Sequence, residues 1–139
     1  MTKHLLSTLA YMVGTFAIQA TSHFAINREH YASVSFMRPE PIFALGILSM
    51  VLQGGVLSYL YASFAGKSPG WKSGLRFGVL AGVFFVSYQA LAEPAKYQVP
   101  SVGHWMATES VAGLIQFGVF GLFAGWIHSR FARSQAVNP

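Results

Sequence analysis

Four glutamines, one in each of four long apolar stretches, are the first residues that invite a chemical reading: Gln19, Gln53, Gln89 and Gln116. A primary amide among apolar groups has to find hydrogen-bond partners. Ionisable side chains accompany three of the four. Gln19 and His23 stand four apart, as do Gln89 and Glu93, the spacing that puts two residues on one helical face. Glu109 and Gln116 stand seven apart, two turns along one face. Glu109 has no cation within reach on its own stretch, so its carboxyl must either keep its proton or meet His23 or Lys96 from another helix. Gln19, His23, Gln89, Glu93, Glu109 and Gln116 therefore form a candidate ligand-binding set, a polar cavity for a cation, a proton or the polar end of a lipid-like molecule. The plainer alternative is that the same groups only hold helices together, with Glu109 in a structural ion pair.

Other chemistry finds less support. His23, His30 and His104 are the candidate metal ligands, with Glu93 and Glu109 beside them, but no tight His-x-x-x-His or Glu-x-x-His pair occurs and no metal is expected. His4 with His23, and His104 with His128, superficially look like the paired haem ligands of two-haem membrane cytochromes b. Nineteen and twenty-four residues of helix would separate them by about 28 and 36 Å, wider than that arrangement, so no haem is expected. His4 and His128 read instead as interfacial side chains. The chain has no cysteine, which removes thiolate nucleophiles, iron–sulfur clusters and cysteine zinc sites. It contains no nucleophile elbow, phosphate-cradling loop or zincin motif. No catalytic residue is assigned, and the balance leans away from an enzyme.

The elements that must position these residues are set by composition. Of 139 residues 53% are hydrophobic and 9% charged, against about 25% charged in ordinary soluble domains. So little charge cannot clothe a soluble globule, and the aromatic content excludes a disordered chain. Four stretches reach the length of about 20 apolar residues that spans a bilayer: roughly 5–26, 42–64, 75–93 and 105–128. Pro39, Pro41, Pro69, Pro94 and Pro100 punctuate the segments between them. The first stretch could be a signal peptide, but no clean small-x-small cleavage site follows, so it reads as a retained span. The expected fold is all-α: a single domain, a polytopic four-transmembrane-helix antiparallel bundle with short connections.

Charge then gives an orientation. Four spans put both termini and the second loop on one side, with Lys3, Lys67, Lys72, Arg76, Arg130 and Arg133; the other side holds Arg28, Arg38 and Lys96. Six cations against three predict cytoplasmic termini in a bacterial inner membrane. The formal charge of +5 is thus a topology signal with attraction to anionic headgroups, and not a nucleic-acid surface. Tyr31, Phe36, Tyr97 and Trp105 at one boundary and Trp71, Trp126 and Phe131 at the other fit the aromatic belts. Gly74, Gly78 and Gly82, and again Gly121 and Gly125, stand four apart, making flat stripes for close helix packing. These stripes are read as contacts within the chain, with a homo-oligomer through either as the other use.

The stretches Arg38-Pro39-Glu40-Pro41-Ile42, Leu91-Ala92-Glu93-Pro94-Ala95-Lys96-Tyr97 and Val99-Pro100-Ser101 resemble small four-helix bacterial inner-membrane proteins filed as domains of unknown function. That resemblance implies the four-span plan over nearly the whole chain and no activity. Translocator-type tryptophan-rich sensory proteins are similar in size, but their five spans and richer tryptophan differ from the four stretches and three tryptophans here. Three functions stay open: a binding or transport-related protein using the polar cavity, an accessory or assembly subunit of a larger membrane complex, and a histidine–glutamate membrane enzyme.

Overall fold

The computed structural model describes residues 1–36, 38 and 40–137, the side chains of 135–137 excepted; Pro39 of the first loop lies outside the described residues. Every regular element among the described residues is helical. The order is α1 (Thr2–Thr21) running into a wide π turn (Ser22–Ile26), α2 (Arg28–Ala32), α3 (Phe43–Ala65), α4 (Trp71–Ser87) running into a second π turn (Tyr88–Ala92), α5 (Glu93–Lys96) and α6 (Val102–Val137).

Three helices are long and apolar enough to cross a membrane: Phe43–Ala65, the continuous run Trp71–Lys96, and Val102–Ser134. The first of the four expected spans is not among them. Its polar residues follow helical spacing on one face: His4, Ser7, Tyr11, Thr15, Gln19 and Ser22. Ser7, Tyr11 and Ser22 are buried, whereas Leu5, Leu9, Val13 and Phe16 on the other faces are exposed. This is a polar seam turned inward and an apolar surface turned outward, the reverse of a helix in a water-soluble globule. The seam lowers the average apolarity of α1 without removing its apolar outer face. Elsewhere, too, large apolar side chains face outward. On α3 only Gly54, Leu57, Ser58 and Tyr61 are buried, and on α4 Leu80, Val83 and Phe84 stand exposed.

Packing follows the small residues. α6 lies along α4, and the two glycine stripes meet there. A methyl group added at Gly74 would strike the carbonyl oxygen of Gly121, one at Gly78 that of Phe117, and one at Gly125 that of Gly70. Backbone thus rests on backbone, the geometry that small residues at i, i+4 permit. Both stripes are engaged with each other inside one chain. α1 packs against both α3 and α6; at Gly54 the backbone of Thr8 and the Cβ of Tyr11 come close enough that an added methyl would sit 3.2 Å from each.

The sequence neighbours α3 and α4 touch near the loop that joins them. Gly66, at φ +54°, ends α3 in a conformation that favours glycine. Tyr61 reaches across that loop, its hydroxyl donating to the Gly70 carbonyl at 3.2 Å and meeting Ser73 Oγ at 3.0 Å. The Gly70 N–H donates to Ser73 Oγ at 3.0 Å, tying down the start of α4. Phe77 stands 5.5 Å from the rings of both Tyr61 and Phe64. Farther along, a groove lies between α3 and α4 with α6 as its floor. The core is Tyr11, Leu57, Tyr61, Phe77, Val86, Ala90, Phe117, Phe120 and Ala124.

Candidate functional site

The two π turns decide where the candidate residues go. A π turn carries one more residue than an α turn, so side chains beyond it rotate to a new face. Pro94 has no N–H, so the ladder of α4 cannot continue unchanged through it. The Glu93 N–H bonds back to the Tyr88 carbonyl, five residues away. The Gln89 carbonyl is left without a helical donor and accepts the Trp105 indole N–H at 2.9 Å. An α5–α6 corner is thereby fixed by a carbonyl that proline released. The Gln89 side chain itself is exposed, while Glu93 is half-buried. In the first π turn the Asn27 N–H bonds to the Ser22 carbonyl at 2.8 Å, and Asn27 Nδ2 to Ser22 Oγ at 3.0 Å.

Two polar assemblies result where a single cavity was expected. The first joins Gln19, Tyr11, Thr15, Gln53 and Gln116 across α1, α3 and α6. Gln19 Nε2 donates to Gln116 Oε1 at 2.6 Å. Gln116 Nε2 donates to the Tyr11 hydroxyl at 3.1 Å and to Thr15 Oγ1 at 3.0 Å. The Tyr11 hydroxyl donates to Gln53 Oε1, and Gln53 Nε2 to Ser49 Oγ at 2.8 Å. Three of the four glutamines are thus in one connected network.

The second assembly surrounds Glu109, which is only 8% exposed. The Tyr31 hydroxyl, carried by α2, donates to Glu109 Oε1 at 2.7 Å. The His23 ring stacks flat on Tyr31 with centroids 3.6 Å apart. His30 stands edge-on to His104 at 4.5 Å and lies 5.7 Å from Trp105. Burial, with Glu109 bonding and charge adding to it, raises the Tyr31 hydroxyl above the usual phenol range. Burial first and His104 second lower the His30 imidazole below its ordinary value. His30 Nε2 is buried with no hydrogen-bond partner among the described residues. Neither His23 nor Lys96, the partners foreseen for Glu109, is its hydrogen-bond donor; a tyrosine from the first loop is. Among the described residues no group of three or more metal-ligating side chains converges.

A groove of about 690 Å³ lies between α3 and α4, lined by Gln53, Gln89, Glu93 and Gln116 together with Phe84, Phe85, Ser87, Tyr88, Ala92 and Phe117. Gln89, Glu93 and Gln116 of the candidate set meet here, and Gln116 also belongs to the network behind the wall. Gln19, His23 and Glu109 do not line it. Gln53, Tyr11, Thr15 and Tyr31 were outside the candidate set. The one-glutamine-per-span pattern pointed to Gln53; nothing in spacing pointed to Tyr31, whose partner lies 78 positions away.

At the opposite end, His4 Nδ1 and Ser58 Oγ are 3.0 Å apart, and Ser58 Oγ and His128 Nε2 3.2 Å. His128 is buried there, at 3% exposure. Comparison of the chain with protein-family models, with curated proteins and with solved structures finds no match in any of the three.

Proposed function

We propose that the protein is a four-span bacterial inner-membrane protein, α1 and its π turn forming the fourth span and both termini cytoplasmic, that binds an amphipathic, lipid-like molecule in the α3–α4 groove. The observation that carries the reading is the lining of that groove: aromatic walls of Phe84, Phe85, Tyr88 and Phe117 beside the amides of Gln53, Gln89 and Gln116 and the Glu93 carboxyl. Such a site solvates a polar head and an apolar body together. A molecule dissolved in the bilayer reaches a groove between two apolar helices without crossing water. The inward polar seam of α1 and its outward Leu5, Leu9, Val13 and Phe16 support the fourth span. The six-to-three distribution of Lys and Arg supports the orientation. In this reading Gln19 and Thr15 orient the Gln116 amide from behind, while His23, Tyr31 and Glu109 fix α1 and α2 against α6. No catalytic step is assigned.

Native mass spectrometry of gently solubilised protein tests this. The expected spectrum carries one retained molecule of defined mass, lost in Ser87→Trp, which fills the groove from an exposed position, while helix content and melting stay those of the parent. Equal retention in Ser87→Trp overturns the groove as the site. A second reading is an accessory subunit of a membrane complex, whose partner would cover α3, the least buried of the three long apolar helices. Recovery only with other chains, and with no small molecule, selects it.

A further inference from the structure

At the end of the bundle opposite the groove, the buried His128 forms part of the wall of a second cavity, of about 510 Å³, with Lys3, Ala62, Gly66, Lys67 and Phe131 among the other lining residues. The position of His128 is fixed from three directions. Ser58 holds its Nε2 at 3.2 Å, the Tyr61 ring stands edge-on at 5.1 Å, and the His4 ring stands edge-on at 5.3 Å. With Nε2 taken, Nδ1 is the ring atom left for a ligand. Two lysines from different elements, Lys3 at the start of α1 and Lys67 in the α3–α4 loop, line the same concave space.

The acidic side chains of the whole chain are Glu29, Glu40, Glu93 and Glu109. All four belong to the other half of the molecule: Glu29 and Glu40 to the first loop, Glu93 to α5, and Glu109 to the α6 turn that meets Tyr31. No carboxylate side chain is available to neutralise Lys3 and Lys67 where they stand. Lysines that line one cavity with a directional imidazole at its wall, and with no glutamate side chain at that end of the molecule, match an anion with several acceptor oxygens.

We propose that this cavity binds a phosphate-bearing anion, Lys3 and Lys67 supplying the charge and His128 a directed hydrogen bond. The site is separate from the groove and independent of what the groove binds. The phosphate has two sources, the headgroup of an anionic lipid in the adjoining leaflet or a soluble phosphate compound, and the test separates them. Purified full-length protein in neutral detergent is titrated with short-chain phosphatidylglycerol, with short-chain phosphatidylcholine and with inorganic phosphate, and bound adducts are counted by native mass spectrometry. Saturable binding of phosphatidylglycerol above phosphatidylcholine assigns the lipid headgroup; saturable binding of inorganic phosphate assigns a soluble ligand. In either case the doubly substituted Lys3→Gln/Lys67→Gln protein is expected to bind on the order of tenfold more weakly. Ala62→Trp, which fills the cavity and keeps every cation, is expected to bind as weakly. Arg130→Gln, a cation of the same end that does not line the cavity, is expected to bind like the parent. Binding of neither probe overturns the proposal. So does a Lys3→Gln/Lys67→Gln protein that melts lower but binds unchanged, since the lysines would then serve only the ends of α1 and α3. Loss in Arg130→Gln equal to that in the double variant also overturns it, because net charge alone would suffice.

Discussion

Gly78→Ala is the sharpest test of how this molecule holds together. The added methyl would collide with the Phe117 carbonyl oxygen and lie 3.1 Å from the Gly121 Cα. Both obstacles are backbone of α6, so no rotamer change can relieve them. α4 and α6 have to move apart, and contacts along the whole glycine seam weaken with them. Overpacking of a well-fitted interface costs about 1–3 kcal/mol, and an unyielding backbone places this change toward the upper part, about 2–3 kcal/mol. Gly118→Ala is the control on the same helix pair. Nothing lies within 4 Å of a methyl group there, and alanine for glycine inside a helix contributes up to about 1 kcal/mol. The two variants should therefore differ by roughly 3 kcal/mol, more than a hundredfold in the folded-to-unfolded ratio. Unfolding by sodium dodecyl sulfate in mixed micelles, read by fluorescence of Trp71, Trp105 and Trp126, measures both. Equal destabilisation by the two substitutions would refute the reasoning, because general intolerance of α6 and α4 to bulk, and not close approach of their backbones, would then explain the loss.

Two further outcomes are expected. Gln116→Leu removes the three hydrogen bonds to Gln19, Tyr11 and Thr15; at about 0.6 kcal/mol for each bond between membrane helices, the loss is about 2 kcal/mol in the same assay, and a change near zero would show the network to be energetically idle. His30 titrates below its ordinary value in the folded protein because of burial and of His104. The unfolded chain therefore binds its proton first as pH falls, so this contribution is complete above the ordinary histidine pKa and is lost progressively below it, down through the lowered folded value. Melting temperature should drop between pH 7.5 and 5, and His30→Gln should make that drop shallower; an unchanged slope would remove His30 from the account.

Several of these features are written in residue type and spacing. The glycines of α4 and α6 stand four apart, and close approach is nearly the only use of such a stripe, so Gly74, Gly78 and Gly121 meeting backbone follows from the pattern. Gln19 and Gln116 find each other because a buried amide has few alternatives. What spacing hides is helical phase. Each π turn adds one residue, so side chains beyond it leave the faces that regular α geometry assigns. Pro94 carries the one local hint, since a missing N–H must disturb the ladder somewhere before it. Tyr31 gives no hint at all, because a five-residue helix in a loop has no period to read and its acceptor is distant in sequence. His4 and His128 look like boundary residues by position, and only the fold places Ser58 between them. The α1 seam misleads in another way: the polar residues that lower its apolar average are the ones turned away from its outer surface.

That seam also bears on the order in which the chain can be assembled. A helix with Gln19, Thr15, Tyr11 and Ser7 along one side gains little from entering hydrocarbon alone, since each polar group would enter unpartnered. Its partners are Gln53 on α3 and, above all, Gln116 on α6, both translated after it. Where α1 lies in the bilayer, it is therefore settled only once the later α6 has arrived. Truncating the chain before α6 should leave α1 exchanging between interface and interior, a dependence of an earlier helix on a later one that no hydropathy average contains.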